Sequence, residues 1–556
     1  MTNYSAKIFN NAVSALAAQQ AIIANTANNI ANVNTEGYSR RVVNLEARVG
    51  LGQSPGGFSV GNGVSVDGLT RISDEFLNGI AREANSETNF YEVQRDFLAR
   101  VEPLFSLTED VNSVGSAMTQ FFDSLENLSL NPASVELRSD VLERAQDLVD
   151  SIQTTYGTIA SLQSEAEARL ASEIDSVNQI ATEISTLNGL IAGREANGSV
   201  AADERDRRDR LLEQLAEKIS FDSVEGSDGS LTISLANGFP LVNGNSTRTL
   251  ELTGAPSFIG GTVPPKLDGS TMQFIVFDYD PAAGSSAHLD LTQALANGQG
   301  TIGGLLAVRG VATSTDTTPF QASGALPELA GRIESIARDL LTRFNETYRG
   351  PEATADPTAN FDPSAVDLNG NNPALFGFFN AGSVTINDAD ADGIPDNTDL
   401  DALITAGTVT SYASLLSVAI GTPEEIAAGR DATNGTTISP GNAENLLATD
   451  GLITLKTATT TFSSDASNGF QRVGVSYNQL YNETVGRVGN LKARAETNFS
   501  VSEDNLLTAR NKRDEISGVS LDEEFTSLIR FQKAFEANAR ILRSAQELLD
   551  TIVGLI

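Results

Sequence analysis

Each end of this chain carries an apolar seam that a lone helix cannot bury. In residues 519–556, the last 38, Leu521, Phe525, Leu528, Gln532, Phe535, Ala539, Leu542, Gln546, Leu549, Val553 and Ile556 follow one another at spacings of mostly four and three. That is the a/d pattern of a heptad, whose apolar edge is completed only by another helix. A helix of that length would extend about 57 Å at about 1.5 Å per residue. Near the start, Phe9, Val13, Leu16, Gln20, Ile23, Ala27 and Ile30 repeat the spacing. Termini are usually the frayed ends of a domain, yet here they hold some of the most regular periodicity in the chain. Gln20, Gln532 and Gln546 interrupt the seams, weakening packing while fixing register or partner number. A pair of ordinary core helices closing one globular domain is the blander account of the same pattern.

The bulk properties narrow the function classes. The length of 556 residues corresponds to about three or four domains. There are 37 basic and 72 acidic residues, a formal net charge of −35. Such a field repels phosphate backbones and anionic membrane surfaces, so neither nucleic-acid binding nor membrane insertion is expected. The chain has no cysteine, which excludes disulfides and thiolate zinc sites. No apolar run reaches the length of about 18 residues needed for a membrane span. Residues 12–24, with Lys7 before them, come nearest to a signal-peptide core, but Gln19 and Gln20 interrupt it. No cleaved signal peptide is therefore expected, and a chain leaving the cell would need another route.

Helical periodicity dominates the outer thirds, and strand and turn signals dominate the middle. An Asn-dense segment, 25–34, leads to an alternating strand at 42–49, a Gly-rich loop at 50–63 and a second short strand through Val64, Val66 and Leu69. Helical period runs over 74–130, broken at Pro103, and again from Asn131-Pro132 to about residue 191. A further helix covers 203–218, where Asp206, Arg207, Arg208, Asp209 and Arg210 read as a solvated, ion-paired face. Strand character appears at 230–235, 250–252 and 272–277, helix at 326–348, and mostly helix again from Asn442 onward, with a break at Gly518-Val519. The expected fold is α+β and multidomain, with discontinuous helical coiled-coil or bundle domains at the termini enclosing β-rich outer domains. The expected division is 1–60 with 505–556, then 61–220 with 441–504, then 221–440.

One continuous motif, Asn28-Asn29-Ile30-Ala31-Asn32-Val33-Asn34-Thr35-Glu36-Gly37-Tyr38-Ser39-Arg40-Arg41, resembles the bacterial flagellar axial proteins. Its Asn-Thr-x-Gly core is common to rod, hook and hook-associated proteins, and the continuation Tyr-Ser-Arg is similar to the hook-associated protein 1 family. A second match is Ser517-Gly518-Val519-Ser520-Leu521-Asp522-Glu523-Glu524 followed by Phe531-Gln532-Lys533-Ala534-Phe535-Glu536-Ala537-Asn538-Ala539-Arg540. Weaker matches lie at 303–309, 424–430 and 441–447. The resemblance implies a stacked ring of subunits whose paired terminal helices line an axial tube, with outer domains facing solvent. It implies a structural adaptor joining hook to filament, with hook protein, other hook-associated proteins and further copies of the chain as partners. It also implies a cytosolic export chaperone on the C-terminal helix and type III export to an extracellular flagellum.

On that reading the N-terminal assembly residues are Phe9, Val13, Leu16, Ile23, Ile30, Asn32, Asn34, Gly37, Tyr38 and Arg40. The C-terminal assembly and chaperone residues are Leu521, Phe525, Leu528, Phe535, Leu542, Leu549, Val553 and Ile556. The Asn side chains either meet a neighbouring subunit or cap the helix end, and both can hold together. Arg40 and Arg41 either pair with acids of an adjacent chain or form a solvated face. Gly37 is expected at positive φ.

Asp388, Asp390, Asp392, Gly393, Ile394, Asp396 and Asp399 fall at positions 1, 3, 5, 6, 7, 9 and 12 of a calcium loop. Alternate carboxylates converge on one cation, Gly permits the turn, and Ile394 offers its carbonyl. Pro395 and the lack of flanking helices argue against an EF-hand, and the segment is closer to a thrombospondin type 3 loop. Asp at position 12 shortens the bidentate reach that Glu supplies. Structural Ca²⁺ and an unliganded acidic turn both fit these residues.

Catalysis is not expected. The single histidine, His288, has no Gly-x-Ser-x-Gly elbow with it, and Gly50–Gly63 lacks the Gly-Lys-Ser/Thr of a phosphate loop. Two rival structural readings are a sibling hook or filament subunit, against which Tyr38-Ser39-Arg40 weighs, and a calcium-stabilised secreted adhesin.

Overall fold

A computed structural model describes residues 1–556 apart from 1, 36, 49–60, 107–112, 198–199, 236–237, 255–264, 279–287, 314–315, 351–363, 374–376, 387–396, 431–441, 466–468 and 554–556. The chain forms two compact units, each built from non-consecutive segments. One comprises 1–88, 176–249 and 501–556, and the other 89–175 and 250–500. The nesting expected from composition is present, but the divisions fall elsewhere: three of them lie inside the continuous helices Glu75–Val101, Val135–Glu195 and Tyr477–Ser517.

The helix Val135–Glu195 has 61 residues and extends about 92 Å. Its buried side chains include Val141, Ala145, Leu148, Ile152, Tyr156, Ile159, Gln163, Ala166, Leu170, Ile174, Val177, Ala181, Ile184, Asn188 and Ile191, again at spacings of three and four. Two polar residues sit within that stripe, and each clamps neighbouring backbone. In one unit the Gln163 amide donates to the Arg309 carbonyl at 2.8 Å and accepts from the Leu267 N–H at 2.8 Å. In the other, Asn188 donates to the carbonyls of Leu231 (2.9 Å) and Gly244 (2.8 Å) and accepts from the Leu231 N–H. Asn188 thereby fixes the four-stranded antiparallel sheet of Phe221–Glu225, Leu231–Leu235, Pro240–Asn243 and Ser246–Thr247 against the helix.

The first unit begins with the helix Thr2–Ala31 and a two-stranded antiparallel sheet, Arg41–Ala47 with Val64–Arg71. It also holds the helix Ala202–Lys218, and it ends with the helix Leu521–Val553. The face 206–210, expected to be solvated, is in part buried: Asp206 and Arg208 are 3% and 2% exposed. Charge spacing alone does not reveal this, because the partners that desolvate Asp206 come from distant parts of the chain.

The second unit is organised around a cluster of tilted and edge-to-face aromatic rings. Phe121 lies 5.6 Å from Phe344 and 5.8 Å from Phe379, Phe344 lies 5.2 Å from Phe379, and Phe122 lies 5.6 Å from Tyr477. Phe344 closes a π-helical turn, Leu340–Phe344, within the helical stretch 325–349. The next residue, Asn345, donates to the Phe379 carbonyl at 2.7 Å and accepts from its N–H at 3.1 Å, which ties the turn to the short strand Phe379–Asn380. Two buried arginines are ion-paired: Arg309 with Glu167 at 2.7 Å, and Arg338 with Asp401 at 2.7 Å. Burial pushes the Glu334 carboxyl up, while Ser411 and the backbone N–H groups of Ala413 and Tyr412 oppose that by donating to it.

The middle of the chain holds most of the strands, each of two to five residues, around the helices Gly300–Arg309 and 325–349. The region after Asn442 is mostly helical, with one feature that its pattern did not announce: Thr460–Ser463 pairs with Gln471–Val475 as an antiparallel ladder before helix resumes at Tyr477. The β-branched run Thr459–Thr461 with Val473 and Val475 favours the pleat.

Removing one ring from the cluster leaves a cavity. Phe344→Ala is expected to destabilise the second unit by about 3–5 kcal/mol. A denaturant titration following the transition of that unit measures it.

Candidate assembly surface at the paired termini

The two terminal helices pack on each other. The Asn29 amide at the end of the first donates to Glu524 at the start of the last, at 3.2 Å, so they run antiparallel. Ala12, Ser14, Ala18 and Thr26 are buried on the first helix and Ala545 on the last, with Ser14 accepting from the Val64 N–H of the two-stranded sheet at 3.2 Å. Between 521 and 548, Glu524 and Ala545 are the only buried side chains among the described residues. The pairing thus covers only part of the apolar surface.

Of the expected seam residues, Phe9, Leu16, Ile23, Ile30, Leu528, Phe535 and Leu542 are half-buried by this pairing. Val13, Leu521 and Phe525 are exposed, Phe525 to 49%. Gln20, Gln532 and Gln546 face solvent. Leu549 and Val553 lie on the helix but their side chains are outside the described residues, as is Ile556 entirely. Four further apolar residues are exposed: Ile8, Ile529 at 59%, Ile541 and Leu548. A strict heptad reading finds one stripe, whereas 528/529 and 541/542 are adjacent apolar pairs that widen the apolar face. One partner is the other terminal helix, and the second edge is open.

The helix ends are joined by a polar knot. Tyr38 donates from its hydroxyl to the side-chain oxygens of Asn28 (3.0 Å) and Asn29 (2.8 Å). Asn25 and Asn29 both donate to the Arg41 carbonyl, at 2.7 and 3.0 Å, and Asn29 accepts from the Arg41 N–H. Asn32 caps back onto the Asn28 carbonyl at 2.9 Å, and Asn34 is exposed. The Asn-rich segment therefore holds its own chain's first strand. Gly37 has φ +72°, and a Cβ there would lie 2.3 Å from Arg210 Cγ, so both conformation and space require glycine.

Glu524, 3% exposed, has both carboxylate oxygens engaged, by Asn29 and by Arg40 Nε at 2.8 Å. Arg40 Nη1 also lies 3.4 Å from Glu523, and the Arg40 N–H donates to the Ser517 carbonyl at 3.0 Å. Arg41 reaches Asp203 and Asp206 at 2.7 Å each. Both arginines thus pair with acids of their own chain rather than forming a solvated face. Burial opposes the Arg41 charge, but hydrogen bonds to Asp206 and Asp203 hold its pKa above the ordinary value. Burial raises the Tyr38 phenol, with Arg41 opposing, which keeps the hydroxyl a donor at neutral pH. Sequence reasoning missed Asn29, Arg71, Asp206 and Glu524 as joint residues; the Asn run and the acidic first turn of the last helix were their only local signals.

Of the metal-loop residues, Asp388, Asp390, Asp392, Ile394 and Asp396 lie outside the described residues. Asp399 is buried in the first turn of the helix Asn397–Thr405. Among the described residues no group of three or more His, Asp or Glu is gathered to hold a metal, and no helix is long and apolar enough to cross a membrane.

Comparison with known families follows the same layout. Residues 9–38 match the family described as flagella basal body rod protein, and 510–555 match the C-terminal family of the flagellar basal body rod FlgEFG proteins. Residues 98–359 match the flagellar hook-associated protein FlgK helical domain. Curated relatives align over nearly the whole chain. Flagellar hook-associated protein 1 of Escherichia coli (strain K12) is 25% identical, covering 99% of both chains. That of Bacillus subtilis (strain 168) is 27% identical, covering 97% of this chain and 96% of the relative. The structure of the flagellar hook junction protein FlgK from Burkholderia pseudomallei shares the fold, with a TM-score of 0.53 at 14% identity over 80% of this chain and all of that one.

Paired terminal helices with rod-type matches at both ends define a flagellar axial protein. Over nearly its whole length the chain is similar to flagellar hook-associated protein 1, and its residues 98–359 match that protein's helical domain.

Glu524→Gln keeps the shape of the side chain but removes its charge from Arg40. A charge-assisted hydrogen bond contributes about 1.5–3 kcal/mol. Amide exchange in 517–528 is therefore expected to accelerate about tenfold or more, and hydrogen-exchange mass spectrometry of the purified chain reads it.

Proposed function

We propose that this chain is a structural component of the bacterial flagellum, an adaptor at the hook–filament junction on which filament assembly depends. The observation that carries the reading is the terminal helix pair, which keeps a second apolar row open along its length. An apolar row of that kind is completed by helices of neighbouring subunits. Its partners are hook protein, other hook-associated proteins and further copies of itself arranged as a ring. Before export a cytosolic chaperone covers the C-terminal helix, whose exposed Phe525, Ile529, Ile541 and Leu548 suit an apolar groove. The chain works outside the cell, and type III export without a cleaved signal peptide takes it there. The role is structural, with no catalytic step.

Cells lacking this chain are expected to carry hooks without filaments and to shed filament protein into the medium. A version ending at residue 518 should fail to restore filaments while its second unit still folds. Electron microscopy with immunoblots of the medium tests both; full-length filaments on the deleted strain would refute the reading.

The acidic loop 388–399 is proposed to hold one structural Ca²⁺ through Asp388, Asp390, Asp392, the Ile394 carbonyl, Asp396 and Asp399. Alternate carboxylates at this spacing repel one another without a cation. Calorimetric titration should show saturable heat that Asp392→Ala abolishes, and no heat from the natural chain would end the proposal.

A further inference from the structure

Arg40 and Arg41 are consecutive, and their side chains leave the backbone in opposite directions, as alternation along an extended chain requires. Arg40 grips the terminal helix pair through Glu524. Arg41 grips the helix Ala202–Lys218, where Asp203, Asp206 and Asp209 recur every three residues on one face. Arg71, paired with Arg41 across the two-stranded sheet, closes the same face: its Nε lies 2.6 Å from Asp206, and it also bonds Asp209. Asp206 therefore has one carboxylate oxygen on each arginine, Oδ2 on Arg41 and Oδ1 on Arg71. The Arg71 charge is held above its ordinary pKa by Asp209 and Asp206 against the opposing effect of burial. The Gly37 backbone lies against Arg210 on the same helix, so the contact continues past the ion pairs.

We infer that Asp206 is a positioning residue: by bridging Arg41 and Arg71 it sets the direction in which the terminal helix pair leaves the rest of its unit. Two strands, each presenting one arginine to a single buried carboxylate, cannot rotate about one bond as a single-stranded linker can. Losing the carboxylate removes the one group that both guanidinium groups share and leaves each strand its own separate partner, Arg41 on Asp203 and Arg71 on Asp209, so the strands are no longer locked to each other. The helix pair itself is held by Asn29, Arg40 and Glu524, none of which touches Asp206, so pairing and direction are separable. This inference gives the proposed junction role a geometric basis, yet its test needs no filament.

The natural absence of cysteine allows a clean spin-label pair at two exposed positions, Gln20→Cys and Thr186→Cys. Double electron–electron resonance on the purified full chain should give one narrow distance distribution. Asp206→Asn is expected to broaden it at least twofold with helical circular dichroism unchanged. Asp206→Glu, which keeps the charge, should restore the narrow width, and Asp203→Asn, whose side chain is largely exposed, should leave it narrow. If Asp206→Asn fails to fold, Arg41→Gln carries the same expectation. A width unchanged in the folded variant, or one that Asp206→Glu does not restore, overturns the inference; filament assembly in cells reports separately on the junction role.

Discussion

The first unit depends on a carboxylate with no free oxygen. Glu524 sits where the last helix begins, accepts from Asn29 at the end of the first helix and pairs with Arg40 in the segment between that helix and the first strand. These residues are almost five hundred positions apart, so the interaction closes most of the chain into one topological loop. A buried charge is tolerable only when each lone pair is satisfied, and removing one partner exposes the desolvation cost of the other. The knot adds polar specificity to a pairing in which Phe9, Leu16, Ile23, Leu528 and Phe535 are half-buried.

The same helices have two demands placed on them. They must pair within the chain, which small residues and the knot accomplish, and they must keep Leu521, Phe525, Ile529, Ile541 and Leu548 available. A net charge of −35 adds electrostatic repulsion between separate copies. The long helix from Val135 to Glu195 places its stripe differently. The stripe from Val141 to Ile191 is buried, and its polar interruptions, Gln163 and Asn188, are each bonded to backbone.

Much of this was legible in the order of residues. Periods of three and four located the helices, Gly37 announced its positive φ, and the Asn-Thr-x-Gly and Phe-Gln-Lys-Ala-Phe segments pointed to the flagellar axial proteins before any geometry was known. What was not legible depended on distant partners. Asp206 looks like any acid in a charged helix until Arg41 and Arg71 are brought to it, and Glu524 looks like an ordinary first-turn carboxylate until Asn29 and Arg40 arrive. The Thr460–Val475 ladder was missed because its strands are short and stand between helical stretches. The second apolar edge was missed because a heptad template keeps one of each adjacent pair, such as Leu528 and Ile529.

The central claim is that the terminal helices pair within the chain yet remain incomplete until other subunits cover them. Hydrogen exchange measured on the purified chain and on the same chain in intact flagella addresses this directly. Amides of 525–548 should exchange orders of magnitude faster in the free chain than those of 141–191, and should become as protected as that long helix once assembled. Equal, high protection of both segments in the free chain would contradict the account.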